Sequence, residues 1–203
     1  MSERATFADA ASVLQSDSVM ADLIDRHGPL DMTPADNEFR RLVVSILNQQ
    51  LSTASARAVR ERAFDVLDGQ VTPDTVLSAD QDALREAGLS DSKVEYVRNC
   101  AQAFQERDLT RGALDEYGDD AVIDLLTEIR GVGEWTARMY LIFALGREDV
   151  LPLGDLAVRR GIDELYGDGD ASMARSEMRA IAESWRPYRS VGTRYVWQAY
   201  ESE

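Results

Sequence analysis

Two glycines, Gly131 and Gly133, interrupt a helix-forming stretch that reads LTEIRGVGEWTARMY over residues 126–140. Glycine permits positive φ and leaves no side chain between the backbone and an approaching group. Because an apolar helical pattern resumes directly after the bend, the amides of the bend and of the next helical turn can point together at a phosphate. For a bare GxG, a tight helix–helix turn is the better interpretation. The flanking sequence has to decide between the two.

Helical periodicity predominates in the segments that must position this bend. Apolar residues recur three and four positions apart over residues 39–47, 56–67, 93–104, 121–129, 137–145 and 178–185. Breaks rich in glycine, proline and aspartate separate these segments, and no comparable alternating pattern indicates strands. The sequence therefore predicts an all-α fold of about ten short helices.

The composition is that of a soluble globular protein, with 44% hydrophobic and 29% charged residues among 203. One cysteine, Cys100, allows neither a disulfide nor a four-cysteine cluster within one chain. The start of the chain lacks the apolar core of a signal peptide, and the longest strongly apolar run, residues 139–145, is too short to span a bilayer. We expect a cytoplasmic protein without a membrane partner.

The charge balance argues, taken alone, against a nucleic-acid partner. Lys plus Arg is 22 and Asp plus Glu is 37, a net charge of −15, whereas phosphate binding is driven by cations. Lys93 is the single lysine, and Asp is favoured over Glu. This pattern resembles proteins from salt-accumulating organisms, in which surface acidity serves hydration and says little about the site.

Four blocks of this sequence, in this order, resemble the HhH-GPD DNA glycosylases. ILNQQLSTASA (46–56) is similar to the helix–loop–helix that enters the minor groove, and LTEIRGVGEWTA (126–137) to the helix–hairpin–helix. LPLGDLAVRRG (151–161) resembles the segment of the essential aspartate, and WRPYRS (185–190) the C-terminal pocket segment. The branch that it most resembles is the 3-methyladenine DNA glycosylase II type.

The resemblance implies that Asp155 is the catalytic carboxylate. Breaking an N-glycosidic bond builds positive charge on the sugar, which a nearby carboxylate stabilises while it orients a water. On position alone, an aspartate before LAVRRG favours a helix N-cap, and both roles can coexist. Asp149 is the fallback, although we expect it in the connecting loop before Pro152.

The resemblance also assigns contacts with the base and the duplex. Trp135 and Tyr188 match the aromatic pocket positions, whereas aromatics at helical spacing, Trp185 and Trp197 here, are more often core. Gln50 matches the wedge that fills the gap left by the flipped base. A helix end with a cap at Ser52 is the alternative for this stretch.

The hairpin itself is expected to bind phosphate through the backbone of Gly131, Val132 and Gly133. In the family, backbone carbonyls at positions matching Ile129 and Val132 also bind a monovalent cation, Na⁺ or K⁺. No other cofactor is expected. Arg138, Arg159 and Arg160 are candidates for phosphate contacts, although arginines on an acidic surface are more often paired with neighbouring acids.

Two absences define the branch further. The iron–sulfur members carry four cysteines, which this chain lacks, and bifunctional members carry a Schiff-base lysine where this sequence has Trp135. Lys93 lies in a different predicted helix, so an amine nucleophile is not expected. The resemblance therefore implies a monofunctional hydrolase of alkylated purines.

We expect a two-lobed, all-α HhH-GPD fold with double-stranded, damaged DNA in the cleft. Lobe A comprises about 1–39 plus 151–203, and lobe B about 40–150 with the hairpin at 121–145. A monomer is expected. The alternatives are a non-catalytic helix–hairpin–helix protein that only binds DNA, and a glycosylase for a deaminated or oxidised base. The first has no reason to combine Asp155, Trp135 and Tyr188.

Overall fold

The computed structural model describes residues 7–51 and 53–202, without the side chain of Thr53. These residues form thirteen α-helices and one π-helical turn, and they contain no strand. The all-α prediction is confirmed. The helices are α1 Phe7–Leu14, α2 Ser18–His27, α3 Glu38–Asn48, α4 Thr53–Val66, α5 Pro73–Ser78, α6 Gln81–Glu86, α7 Asp91–Glu106, α8 Arg111–Leu114, α9 Asp119–Thr127, α10 Glu134–Tyr140, α11 Leu156–Tyr166, α12 Arg175–Ala182 and α13 Arg189–Glu201.

The chain divides into two compact units. The central unit is Pro34–Leu145, and the terminal unit combines the N-terminal segment up to Thr33 with the C-terminal segment from Gly146. The sequence had placed these boundaries near 39 and 150. None of the helices in the described ranges combines the length and the apolar composition that crossing a bilayer requires.

Polar caps determine where several helices begin. Asp17 accepts the amides of Val19 and Met20 ahead of α2, and Asn37 accepts that of Arg40 ahead of α3. Each cap satisfies amides that have no partner within their own helix. Asp17 has a second role, because its other oxygen accepts the Trp185 indole N–H at 3.4 Å.

The core of the terminal unit lies between α2, α11 and α13. Trp185 is completely buried there, which confirms its assignment to the core. Glycine permits two close contacts: a Cβ on Gly161 would lie 2.6 Å from Cγ1 of Val196, and one on Gly192 would lie 2.8 Å from the Trp185 ring. Helix α11 therefore lies directly against α13.

The core of the central unit forms around α3, which packs against α7 and α10. Phe39 lies edge-on to Phe104 at 5.2 Å between ring centroids, and Phe104 lies edge-on to Tyr140 at 6.4 Å. The buried Tyr140 hydroxyl donates to the Leu109 carbonyl at 2.6 Å. These contacts fix the end of α10, the second helix of the hairpin.

Helix α10 does not continue as α-helix to residue 145, as the sequence pattern had indicated. It begins at Glu134 and ends at Tyr140, and a π-helical turn follows over Leu141–Leu145. Arg111 donates from Nε and Nη2 to the Ala144 carbonyl at 3.0 and 2.9 Å, and the Ala35 amide donates to the Phe143 carbonyl. Neighbouring segments thus satisfy the last carbonyls of this helix.

Gly161→Ala should destabilise the fold by about 1–3 kcal/mol, because the new methyl group would overlap Val196 where α11 meets α13. Urea unfolding monitored by circular dichroism measures this change. Gly112→Ala is the matched control, because a Cβ on this glycine of α8 meets no atom within 4 Å. Equal stability of the two variants would contradict the close contact of α11 with α13.

Candidate active site and DNA-binding elements

Asp155 caps the N-terminus of α11. Its Oδ1 accepts the backbone N–H of Val158 at 3.0 Å, and its own N–H donates to the Pro152 carbonyl at 2.9 Å. The residue is half-buried. The cap that the sequence predicted is therefore present, and the carboxylate is held in one orientation at the start of the helix.

Trp197 provides a second hydrogen bond to this carboxylate. The indole Nε1 donates to Asp155 Oδ1 at 3.2 Å, while the ring packs in part against the core of the terminal unit. The assignment of Trp197 to the core alone was thus incomplete. The sequence carries one weak signal for this role: an indole N–H needs a partner when it is partly buried.

Arg159 supports the same turn from the following helical turn. Its Nη1 donates to the Leu153 carbonyl at 2.9 Å, to that of Gly154 at 3.0 Å and to that of Asp155 at 3.2 Å. One guanidinium group thus holds three successive carbonyls ahead of α11. This arginine stabilises the turn in the described structure, whereas the sequence had suggested a phosphate contact.

Asp149 lies in the connecting loop, as expected, and it is neutralised by arginines. Its carboxylate is 2.7 Å from Nε of Arg189 and 2.7 Å from Nη1 of Arg186. The Ser190 hydroxyl joins the same loop, because it donates to the Arg147 carbonyl and accepts the Val150 amide. A carboxylate between two guanidinium groups is poorly placed to stabilise a further cation.

Tyr188 lies between these arginines, at the N-cap of α13. It is half-buried and packs against the core of the terminal unit. The Asp149 ion pairs hold the residues on both sides of it. The terminal unit therefore holds Asp155 at the N-cap of α11, Trp197 on α13 and Tyr188 at the N-cap of α13. The role of Tyr188 at a base remains a prediction.

The two glycines of the hairpin play different roles. Gly131 has φ of +103° and a Cβ there would lie 2.2 Å from the Tyr96 ring, so this position requires glycine. Gly133 is exposed and has φ of −93° and ψ of 174°, which any residue can adopt. Of these two glycines, Gly131 alone uses the positive φ that glycine permits.

Gly133 nevertheless leaves a distinctive helix start. It is the N-cap of α10 and has no side chain to accept the first amides, and a Cβ there would meet no protein atom within 4 Å. Glu134 follows it and pairs with Arg138 at 2.8 Å, so that arginine is already engaged by an acid. Trp135 is half-buried in the first turn.

The turn that precedes Gly133 is compact. The Val132 amide donates to the Ile129 carbonyl at 2.9 Å, and both side chains are buried. A carbonyl oxygen has two lone pairs, so this hydrogen bond is compatible with a cation at the same oxygen. Cation binding by Ile129 and Val132 remains a prediction.

Gln50 is exposed at the turn that follows α3. Its φ of +58° is unusual for a residue other than glycine. Leu51 beside it is 39% exposed. The alternative cap at Ser52 lies outside the described residues.

The single lysine supports the end of α3. Lys93 Nζ donates to the Leu47 carbonyl at 2.7 Å, and partial burial lowers the pKa of the amine. A lowered pKa favours a nucleophilic amine, but this one is engaged as a helix cap. The central unit therefore combines Gln50, the hairpin and Trp135, with Lys93 in a supporting role.

Comparisons with known proteins agree with this description. The family model described as HhH-GPD superfamily base excision DNA repair protein matches residues 43–187. Alkylbase DNA glycosidase-like protein mag2 of Schizosaccharomyces pombe is 25% identical, with 98% of this chain and 96% of that protein covered. DNA-3-methyladenine glycosylase 1 of the same yeast is 27% identical, with coverage of 87% and 78%.

The solved structures give the same result. DNA-3-methyladenine glycosidase from Bacillus halodurans superposes with a TM-score of 0.79 at 32% identity, covering 98% of this chain and 91% of that one. The Schizosaccharomyces pombe 3-methyladenine DNA glycosylase in complex with abasic DNA gives 0.81 at 26% identity, covering 95% and 96%. This chain belongs to the HhH-GPD superfamily, and it has the fold of these DNA glycosylases.

Gly133→Ala should weaken binding to all DNA sequences and lesions alike, by roughly tenfold or more, because the methyl group would keep a phosphate from the first amides of α10. Fluorescence anisotropy with labelled duplexes measures this. Gly118→Ala is the matched control, since Gly118 also begins a helix and also has open space at its Cβ. Unchanged affinity of a folded Gly133→Ala protein would make the bend a packing feature.

Proposed function

We propose that this protein is a monofunctional DNA glycosylase that hydrolyses the N-glycosidic bond of alkylated purines, of the 3-methyladenine type, in double-stranded DNA. The names of the relatives support the substrate class. The observation that carries the proposal is the Asp155 carboxylate, which one backbone amide and one indole N–H hold at the start of α11.

Asp155 acts on the sugar. As the bond to the base lengthens, positive charge develops on the ring, and a carboxylate in a fixed position stabilises it without reorganising. The same carboxylate orients the water that attacks the sugar carbon. Because Val158 and Trp197 both donate to Oδ1, the orientation of the group is set before the substrate binds.

No amine nucleophile is needed. A cationic, alkylated purine leaves as a neutral molecule, so water suffices as the nucleophile and no general acid is required. Trp135 stands where bifunctional relatives carry a lysine, and Lys93 is held against the end of α3. We therefore propose base release without cleavage of the strand.

Recognition of the base rests on charge. An aromatic face over a cationic ring provides roughly 0.5–2 kcal/mol, and Trp135 and Tyr188 are the aromatic residues proposed for this contact. Both are only half-buried and thus retain accessible surface. A neutral base gains less from such a contact, which favours an alkylated base over a deaminated or oxidised one.

The central unit is proposed to bind the sugar–phosphate backbone of the duplex. The residues Gly131, Val132 and Gly133 are proposed to bind a phosphate through amides, with Na⁺ or K⁺ at the Ile129 and Val132 carbonyls as a further contact. Gln50 is proposed to fill the gap left by the flipped base. A protein that only binds DNA would need these elements but not the fixed carboxylate of Asp155.

Incubation with methylated duplex DNA should release free 3-methyladenine and leave the strand intact until alkali is added. Chromatography identifies the base, and a denaturing gel with and without alkali detects strand breaks. DNA binding without base release would establish the non-catalytic alternative. A nick before alkali, lost in Lys93→Ala, would show an amine mechanism instead.

A further inference from the structure

The side chain of Gln49 connects the turn after α3 with the hairpin. Its Nε2 donates to the Gly131 carbonyl at 3.1 Å and to the Thr136 hydroxyl at 2.9 Å. Gly131 lies in the bend and Thr136 in the first turns of α10, so one amide group bonds to both sides of the GVG segment. Thr136 is buried, with 1% of its surface exposed.

Gln50, the residue after Gln49, is exposed. Its left-handed backbone, with φ of +58°, turns the chain away from α3. Such a conformation is unfavourable outside glycine and persists only where the surroundings enforce it. Side-chain hydrogen bonds connect this turn to other parts of the central unit: Gln49 donates to the Gly131 carbonyl of the hairpin, and Lys93 donates to the Leu47 carbonyl.

We propose that Gln49 is a positioning residue that fixes the Gln50 wedge relative to the phosphate-binding hairpin, so that both engage the duplex as one preformed element. This inference rests on the proposed function. It assigns a role to Gln49. It also explains the hydroxyl group of Thr136 in the GVGEWTA motif, because that hydroxyl accepts a hydrogen bond from Gln49.

The energetic argument concerns preorganisation. A side chain that must enter the stack loses its freedom on insertion, and that cost is smaller when its backbone is already fixed. If Gln49 is removed, Thr136 keeps a buried hydroxyl without this partner, and the turn at Gln50 loses its connection to the hairpin. The effect should therefore appear where a gap in the duplex must be filled.

Two duplexes separate a positioning role from a merely structural one. In the first, a single 7-methylguanine is paired with cytosine, so its extrusion leaves a gap. In the second, the same nucleotide lies in a one-nucleotide bulge, so no partner base is left unstacked. Gln49→Ala should slow single-turnover base release from the paired duplex by roughly tenfold, and from the bulged duplex by less than about twofold.

Three further variants complete the test. Gln49→Met keeps the length of the side chain and should behave like Gln49→Ala. Thr136→Val should show a smaller selective loss, and Gln49→Ala should cost less in that background than alone. Gln105→Ala is the matched control, because it also removes an amide hydrogen bond in the central unit, to Asp74 between α7 and α5, and should leave both rates unchanged.

Equal losses on the two duplexes, or no loss on the paired one, would overturn the inference. Failure of the proposed function is a different result: the wild-type protein would release no base from either duplex and no 3-methyladenine from methylated DNA. Wedge insertion is then still measurable, because 2-aminopurine next to the lesion becomes brighter when its stacking is broken. That signal should fall in Gln49→Ala, and an unchanged signal would overturn the inference independently of activity.

Discussion

The proposed active site in the terminal unit depends on one hydrogen-bonded carboxylate, that of Asp155. Its Oδ1 accepts an N–H from its own helix and another from Trp197 on α13. This geometry exists only because α11 and α13 lie in direct contact, and Gly161 makes that contact possible. Arg159 holds the preceding carbonyls, so the turn that presents the carboxylate is fixed from both sides. The packing of α11 against α13 therefore also fixes the carboxylate on which the proposed chemistry depends.

Many of the arginines for which the structure gives contacts serve the protein itself. Arg111 and Arg159 bind carbonyls, Arg138 pairs with Glu134, and Arg186 and Arg189 pair with Asp149. In a chain with a net charge of −15, cations used in this way contribute little to phosphate binding. Contact through the backbone amides of the hairpin offers a physical route by which an acidic protein can hold DNA, and the proposed function relies on it.

Much of this arrangement follows from the sequence, and the remainder has identifiable physical causes. Local patterns predicted the helices, the GVG bend and the cap at Asp155, because periodicity and capping depend on neighbours in the chain. The bonds from Trp197 to Asp155 and from Gln49 to Thr136 join residues 42 and 87 positions apart, and no local pattern encodes such partners. The GVG motif also does not distinguish Gly131, which is needed for its positive φ, from Gly133, which leaves open space at the start of α10.

The most direct test of this account compares Asp155→Asn with Asp149→Asn. Asparagine keeps the size of the side chain and can still accept the Val158 amide, but it lacks the charge that the developing sugar cation requires. We expect Asp155→Asn to fold, to bind lesion DNA and to release base roughly 100-fold more slowly or worse in single-turnover assays, while Asp149→Asn keeps most of its activity. Near wild-type base release by folded Asp155→Asn, with the loss found in Asp149→Asn, would show that the catalytic carboxylate is Asp149.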